Sequence, residues 1–238
     1  MNIFYQIKKI IPNTLTCCNL VSGCVATSFA FQGDARTALL WIIVGAVFDF
    51  FDGMSARLLH VSSPIGKELD SLADDVTFGV APATIIFAEL SAIDYPSFLE
   101  PLRAVLPYFA FVVAAFSALR LAKFNLDERQ TTSFIGLPTP ANALFWGSLL
   151  LGQHAFLTSL RFNVVWLIGL MLLSCYLLVC EVPMMALKFK ALTWQACRWK
   201  VLFLVGCLLF LPLGYSAFAA MMVWYVLLSV VMVKLHQH

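Results

Sequence analysis

Charge is scarce in this chain. Only 12% of its 238 residues are charged and 61% are hydrophobic, whereas soluble domains carry roughly 25% charge. Mean hydropathy is +0.89. Low-complexity linkers and long soluble segments are missing too, and no internal repeat stands out, so the chain reads as one unit. No stretch alternates polar and apolar with a period of two, which favours a helical bundle over a transmembrane barrel. A formal net charge of only +2 argues against a nucleic-acid partner. The seven cysteines are odd in number and none forms a Cys-x-x-Cys pair, so a complete intramolecular disulfide framework is impossible. Most fall in apolar runs and read as small core residues. No cleavable signal peptide is apparent.

What the chain does have is apolar runs of about 18–25 residues, the length a helix needs to cross a bilayer. They fall at 15–31, 38–59, 69–90, 104–121, 137–156, 164–180, 201–213 and 215–233. The last two are short and meet at a turn over 212–214. This pattern predicts an all-α, polytopic transmembrane helical bundle of about eight spans. Ahead of it, residues 1–11 place Ile3, Phe4, Ile7, Ile10 and Ile11 on one helical face beside Lys8 and Lys9, which predicts a short N-terminal interfacial helix. With both ends on one side, that side carries Lys8, Lys9, Arg57, Lys67, Arg120, Lys123, Arg129, Lys188, Lys190, Arg198, Lys200 and Lys234. The other carries only Arg36, Arg103 and Arg161. Positive charge stays inside, so both termini are expected in the cytoplasm, in an inner (cell) membrane of bacterial type.

Polarity is uneven along the chain. Six of the thirteen acidic residues lie between Asp49 and Asp75, inside segments that otherwise look lipid-facing. A second polar cluster runs over 120–139. The half after Glu181 is chemically quiet, so 1–238 reads as one domain with a catalytic core over about 8–145 and scaffold helices over about 160–234. An ionised carboxylate costs roughly 2.5–3.5 kcal/mol at mid-span on even the mildest insertion scale, so four together need positive compensation. Asp49 and Asp52 are three apart and Asp70 and Asp74 four apart, so each pair shares a helix face. The connection over 58–65 is short and makes the two helices antiparallel neighbours whose pairs can meet. Oxygen-only ligands of this kind suit Mg²⁺, Mn²⁺ or Ca²⁺, with room for two ions. Two such ions would clamp a pyrophosphate and stabilise charge on a phosphoryl group under attack. Gly53, Ala56 and Gly66 leave space for a ligand near the backbone, and Arg57 can supply charge to phosphate oxygens. Asp75 points about 100° away from Asp74 and reads as an interfacial or supporting residue. Aspartates that line an ion pathway, or pair with Arg, are the competing reading.

The segment Asp49-Phe-Phe-Asp52-Gly53-Met-Ser-Ala56-Arg57, followed by Gly66, Asp70 and Asp74, resembles the complete CDP-alcohol phosphotransferase signature. Eight fixed residues across 26 positions carry the resemblance. It implies that Asp49, Asp52, Asp70 and Asp74 hold two divalent ions, Mg²⁺ or Mn²⁺, and that Asp74 also serves as catalytic base. It puts Gly53, Ala56, Arg57 and Gly66 on the nucleotide and pyrophosphate. Two further segments resemble the phosphatidylserine synthase branch. One is Ile11-Pro12-Asn13-Thr14-Leu15-Thr16-Cys17-Cys18-Asn19-Leu20. The other joins Ala118-Leu119-Arg120-Leu121-Ala122-Lys123-Phe124-Asn125 to Phe134-Ile135-Gly136-Leu137-Pro138-Thr139-Pro140-Ala141. That branch commonly has Arg where Lys123 stands, which keeps the charge and loses the bidentate fork. The resemblance covers about residues 8–145.

Asn13 and Asn19 can hydrogen-bond cytosine or ribose, although Asn13 after Pro12 equally suits a helix cap. Arg120 and Lys123 can meet a serine carboxylate or a lipid phosphate. The resemblance implies CDP-diacylglycerol and L-serine as substrates, taken at the membrane surface among bilayer lipids, and a homodimer is a compatible assembly. None of His60, His154, His236 or His238 is followed by Lys two residues on, so the His-x-Lys route to the same product is closed. The alternatives are glycerol 3-phosphate or an inositol phosphate as acceptor and, more distantly, an aspartate-lined cation channel or transporter. A phosphorylated acceptor calls for a richer basic cluster than Arg120, Lys123 and Arg129.

Overall fold

In the computed structural model, residues 3–126, 134–184 and 194–236 are described, and the chain is almost entirely helical. Helices α1 (Ile3–Phe31) and α2 (Ala35–Leu58) form an antiparallel hairpin. Gly33, at φ +80°, makes the reversal in a conformation that L side chains rarely adopt. Asp34 caps α2 by accepting from the Thr37 backbone N–H at 3.0 Å, and contact with Thr37 holds its carboxyl below the usual range. Among the described residues, 3–11 do not form the separate interfacial helix expected there. One helix runs from Ile3 through Pro12 to Phe31. Pro12 removes a single N–H donor, a loss that long membrane helices tolerate.

Helix α3 (Pro64–Asp74) starts on Ser63, whose Oγ accepts from the Gly66 N–H at 3.0 Å. Pro64 opens its first turn. The chain then continues through a π-helical turn, Asp75–Val80, into α4 (Ala81–Ala92). After two short 3-10 stretches come α5 (Val112–Leu126), α6 (Thr139–Leu157), α7 (Asn163–Val179), α8 (Trp194–Phe210) and α9 (Ala217–His236). A two-residue antiparallel ribbon, β1 (Phe134–Ile135) with β2 (Pro183–Met184), ties the approach to α6 to the exit from α7. Gly136, at φ +75°, turns from the ribbon so close to α7 that a Cβ would lie 2.7 Å from the Leu178 carbonyl oxygen.

Among the described residues, five helical stretches are long and apolar enough to cross a bilayer: Lys8–Phe31, Ala35–Leu58, Pro64–Ala92, Leu106–Leu126 and Trp199–Met232. The last contains the turn expected at 212–214. Gly214 there has φ 60° and ψ −126°, and α8 folds back on α9. Trp224 covers Gly206 and donates to the Leu202 carbonyl at 3.3 Å. Large apolar side chains such as Trp166 (71% exposed) and Leu209 (71%) face outward, while Thr16, Asn19, Asp52, Thr77, Ser117 and Arg120 are buried. That distribution inverts a soluble fold and fits a chain whose solvent is lipid. The apolar core centres on Ile42, Phe78, Ile86, Trp146 and Met171. Cys175 and Cys180 are buried as core residues, but Cys17 and Cys24 face outward. Arg129, Lys188 and Lys190 lie outside the described residues, as do the side chains of Cys197, Arg198 and Lys234.

Candidate active site

Helices α2 and α3 both pack against α1 and barely touch each other, so the acidic side chains meet across the shared support of α1 and not through the direct α2–α3 packing expected from the short link. Asp49, Asp70 and Asp74 each place a carboxylate oxygen within 4.8 Å of the others. At that separation two unit charges repel by roughly 3–4 kcal/mol at an effective dielectric of about 20. Three such pairs approach the whole stability of an ordinary domain, about 5–15 kcal/mol. Three ionised carboxylates therefore call for a cation among them. Asp52 stands outside this group. It is buried, and its Oδ2 accepts from Thr16 Oγ1 at 2.7 Å. A spacing of three residues turns Asp52 about 60° from Asp49, enough to aim it at α1 instead of across at α3. Asp74 Oδ1 accepts from Asn19 Nδ2 at 3.0 Å.

Beside the carboxylates lies a cavity of about 350 Å³, open on one side, lined by α1, α2, α3 and the loop between the last two. Asp52 and Asp70 form its acidic wall, with Gly53, Ala56, Gly66 and Asn13 around it. A Cβ on Gly53 would meet nothing within 4 Å, so a side chain there would project into space left for a ligand. Gly66 is needed for a different reason. A Cβ there would sit 3.0 Å from Ser63 Oγ and 3.2 Å from Asn13 Oδ1. Asn13 is thus an interior residue of α1 turned toward α3, not a helix cap. Arg57 is exposed on the last turn of α2 and Asn19 is buried one level below the cavity; neither is among its lining residues. Lys9 and Lys67, not among the ligand-binding residues expected from sequence, do line it. Lys9, Asn13 and Thr16 follow one another at intervals of four and three on α1, and that polar stripe was the available signal.

The second polar cluster divides. Arg120 is 8% exposed on α5, within electrostatic reach of Asp74 and the Tyr225 ring, and its guanidinium carbon lies 5.4 Å from the Phe124 ring centre. Its Nε has no hydrogen-bond partner among the described residues. Lys123, one turn on, is exposed. Asp75 begins the π turn and faces α5, where its Oδ1 is buried near Ser117. Asn142, on α6, was not singled out from sequence, yet both polar atoms of its amide are buried without a partner among the described residues.

Compared with known proteins, the chain matches the CDP-alcohol phosphatidyltransferase family over residues 9–173. The chain belongs to that family. The matched region holds every carboxylate described above. Among its curated relatives, a protein of Mycobacterium leprae is 34% identical over 187 residues, covering 74% of this chain and 58% of the relative. One of Bacillus subtilis is 36% identical over 130 residues (55% of this chain, 69% of the relative). One of Methanocaldococcus jannaschii is 34% identical over 177 residues (71% and 75%). Each is named CDP-diacylglycerol–serine O-phosphatidyltransferase. The chain spans little more than half the length of the M. leprae protein. CDP-alcohol phosphatidyltransferases generally use divalent metals, and the donor set here fits such ions: oxygen ligands only, drawn from two helices, with cavity space beside them.

Proposed function

We propose that this protein transfers the phosphatidyl group of CDP-diacylglycerol to the hydroxyl of L-serine, giving phosphatidylserine and CMP. The observation that carries the reading is the carboxylate cluster of Asp49, Asp70 and Asp74 at the edge of a cavity walled by Asp52, Gly53, Ala56, Asn13 and Gly66. Asp49, Asp52, Asp70 and Asp74 hold two divalent ions, Mg²⁺ or Mn²⁺. When bound, these supply charge neutralisation for a pyrophosphate and for the phosphoryl group under attack. Asn13, Gly53, Ala56 and Gly66 seat the cytidine and pyrophosphate, and Lys9, Lys67 and Arg57 add positive charge at the mouth. Asp74 takes the proton of the serine hydroxyl as its oxygen bonds to the phosphorus bearing diacylglycerol. The bond from that phosphorus to the CMP oxygen breaks, and CMP leaves.

The serine assignment is supported by the names of the relatives and by Arg120. A serine enzyme needs a cation beyond the nucleophilic hydroxyl, and Arg120 is a buried guanidinium near Asp74 with an unused N–H. A fork of two hydrogen bonds to the serine carboxylate is worth about 1.5–3 kcal/mol. Arg120→Ala is therefore expected to raise the KM for serine roughly ten- to a hundredfold. Arg120→Lys should recover only part of that, because it restores charge without the fork. The KM for CDP-diacylglycerol should stay within about threefold. Loss of CDP-lipid binding with an unchanged serine KM would move Arg120 to the phosphate site.

The bundle is proposed to cross the membrane eight times, as one domain, with both termini and the cavity cytoplasmic. Helix α1 begins, α2 ends and α3 begins at the cavity, so Lys9 and Lys67 share its side of the membrane. A reporter fused after His238 is expected to behave as cytoplasmic and one inserted near Arg161 as external. The reverse pattern would place the cavity on the wrong side for a cytoplasmic nucleotide lipid.

A further inference from the structure

Helix α1 reaches both acidic helices of the site at one level. Thr16 Oγ1 donates to Asp52 Oδ2 at 2.7 Å, and one turn on Asn19 Nδ2 donates to Asp74 Oδ1 at 3.0 Å. Asn19 is completely buried, so the bond to Asp74 is not exchanged with water. Its own placement is fixed from two sides. Thr77, in the π turn that follows Asp74, donates through Oγ1 to the Asn19 backbone carbonyl at 3.0 Å. Gly45 on α2 leaves the space that the Asn19 amide occupies, since a Cβ there would come 2.9 Å from Asn19 Oδ1 and 2.5 Å from Thr77 Cγ2. Gly23 does the same on α1, where a Cβ would lie 2.8 Å from the Thr77 backbone. Thr77 is therefore wedged between two glycines, and the π turn that carries it sets the rotation of Asp74 at the end of α3.

We propose that Asn19 is a positioning residue for Asp74, held by the Thr77 wedge between Gly23 and Gly45, and that it orients this carboxylate for a divalent cation instead of binding nucleotide. The inference rests on the reading of Asp74 as a metal ligand. A neutral amide donor fits that task. It occupies one Asp74 oxygen, Oδ1, leaves lone pairs of the carboxylate for an ion, and adds no charge to a site already crowded with acids. An aspartate at position 19 would instead remove the donor and add a repelling carboxylate.

The test is Mn²⁺ binding to the full-length detergent-solubilised protein without substrate, read by electron paramagnetic resonance, alongside steady-state kinetics. Asn19→Leu, which keeps the volume and removes the donor, is expected to weaken Mn²⁺ binding and lower kcat by about ten- to a hundredfold. The KM for CDP-diacylglycerol should move less than about threefold. Asn19→Asp should be at least as impaired in Mn²⁺ binding. Thr77→Ser, which keeps the hydroxyl, should stay near wild type, while Thr77→Val should shift Mn²⁺ binding in the same direction as Asn19→Leu. If Asn19→Leu raises the KM for CDP-diacylglycerol and leaves Mn²⁺ binding unchanged, Asn19 is a nucleotide ligand and the inference is wrong. It is equally wrong if the variants only lower thermal stability, with kcat per folded molecule and Mn²⁺ binding intact. Absence of Mn²⁺ binding in the wild type would instead overturn the metal reading on which the inference stands.

Discussion

Replacing Asp74 by Asn is expected to lower the transfer rate by at least about 10³-fold, the largest loss of any single substitution in this protein. Two roles converge on that carboxylate: it is one of the three oxygens that meet within 4.8 Å, and it is the group assigned to take the acceptor proton. Losing a general base costs about 10²–10⁴-fold, and losing an electrostatic stabiliser of a developing charge about 10²–10³-fold. Asp49→Asn and Asp70→Asn each remove one member of the cluster and should cost at least about 10²-fold. Asp52→Asn should cost a similar factor, because Asp52 is assigned to the ions together with the cluster and also lines the cavity, where Thr16 on α1 holds it. Asp75→Asn should be far milder, since its side chain turns toward Ser117 on α5 and away from the cluster. Rates per folded molecule across the five variants check this order. An Asp75 variant as damaged as the Asp74 variant would mean that the faces of α3 and the π turn are assigned wrongly.

Much of this site is legible in sequence because it depends on helical spacing over short distances. Asp70 and Asp74 share a face at four residues apart, and the short link after α2 keeps Asp49 near them, although α2 and α3 meet through α1 and not directly. The α8–α9 turn was readable for a similar reason: Pro212 and Gly214 interrupt an apolar run too long for one span, and Gly214 takes a positive φ. Asp52 was harder. Three residues read as one face, but the 60° offset is enough to hand Asp52 to Thr16 on another helix. The continuity of α1 through Pro12 was missed because proline and two adjacent lysines suggested a boundary, whereas a long helix absorbs one lost N–H. The π turn at Asp75–Val80 leaves no mark on hydrophobic periodicity, since one extra residue per turn merely blurs the pattern. Its significance lies in a tertiary fact, the fit of Thr77 between Gly23 and Gly45. Arg120 and Lys123 looked equivalent as cations one turn apart; only packing against the rest of the bundle buries one and exposes the other.

Withdrawal of divalent metal is expected to remove transfer altogether. Three carboxylates within 4.8 Å repel one another by several kcal/mol, and a pyrophosphate brought beside them adds two or more negative charges to the same space. Lys9 and Lys67 sit at the cavity wall and Lys67 already donates to the Asn125 carbonyl at 2.8 Å, so these side chains do not replace an ion inside the cluster. The substrate's charge thus makes the cation a requirement for binding as well as for chemistry. The purified protein in lipid-containing micelles, given CDP-diacylglycerol together with serine, glycerol 3-phosphate or an inositol phosphate, with and without EDTA, tests this most directly through the identity of the lipid formed. The account predicts phosphatidylserine and an equal amount of CMP with serine alone, no product after EDTA, and recovery on adding Mg²⁺ or Mn²⁺. Undiminished transfer in EDTA, or a product formed from glycerol 3-phosphate or an inositol phosphate and not from serine, would contradict it.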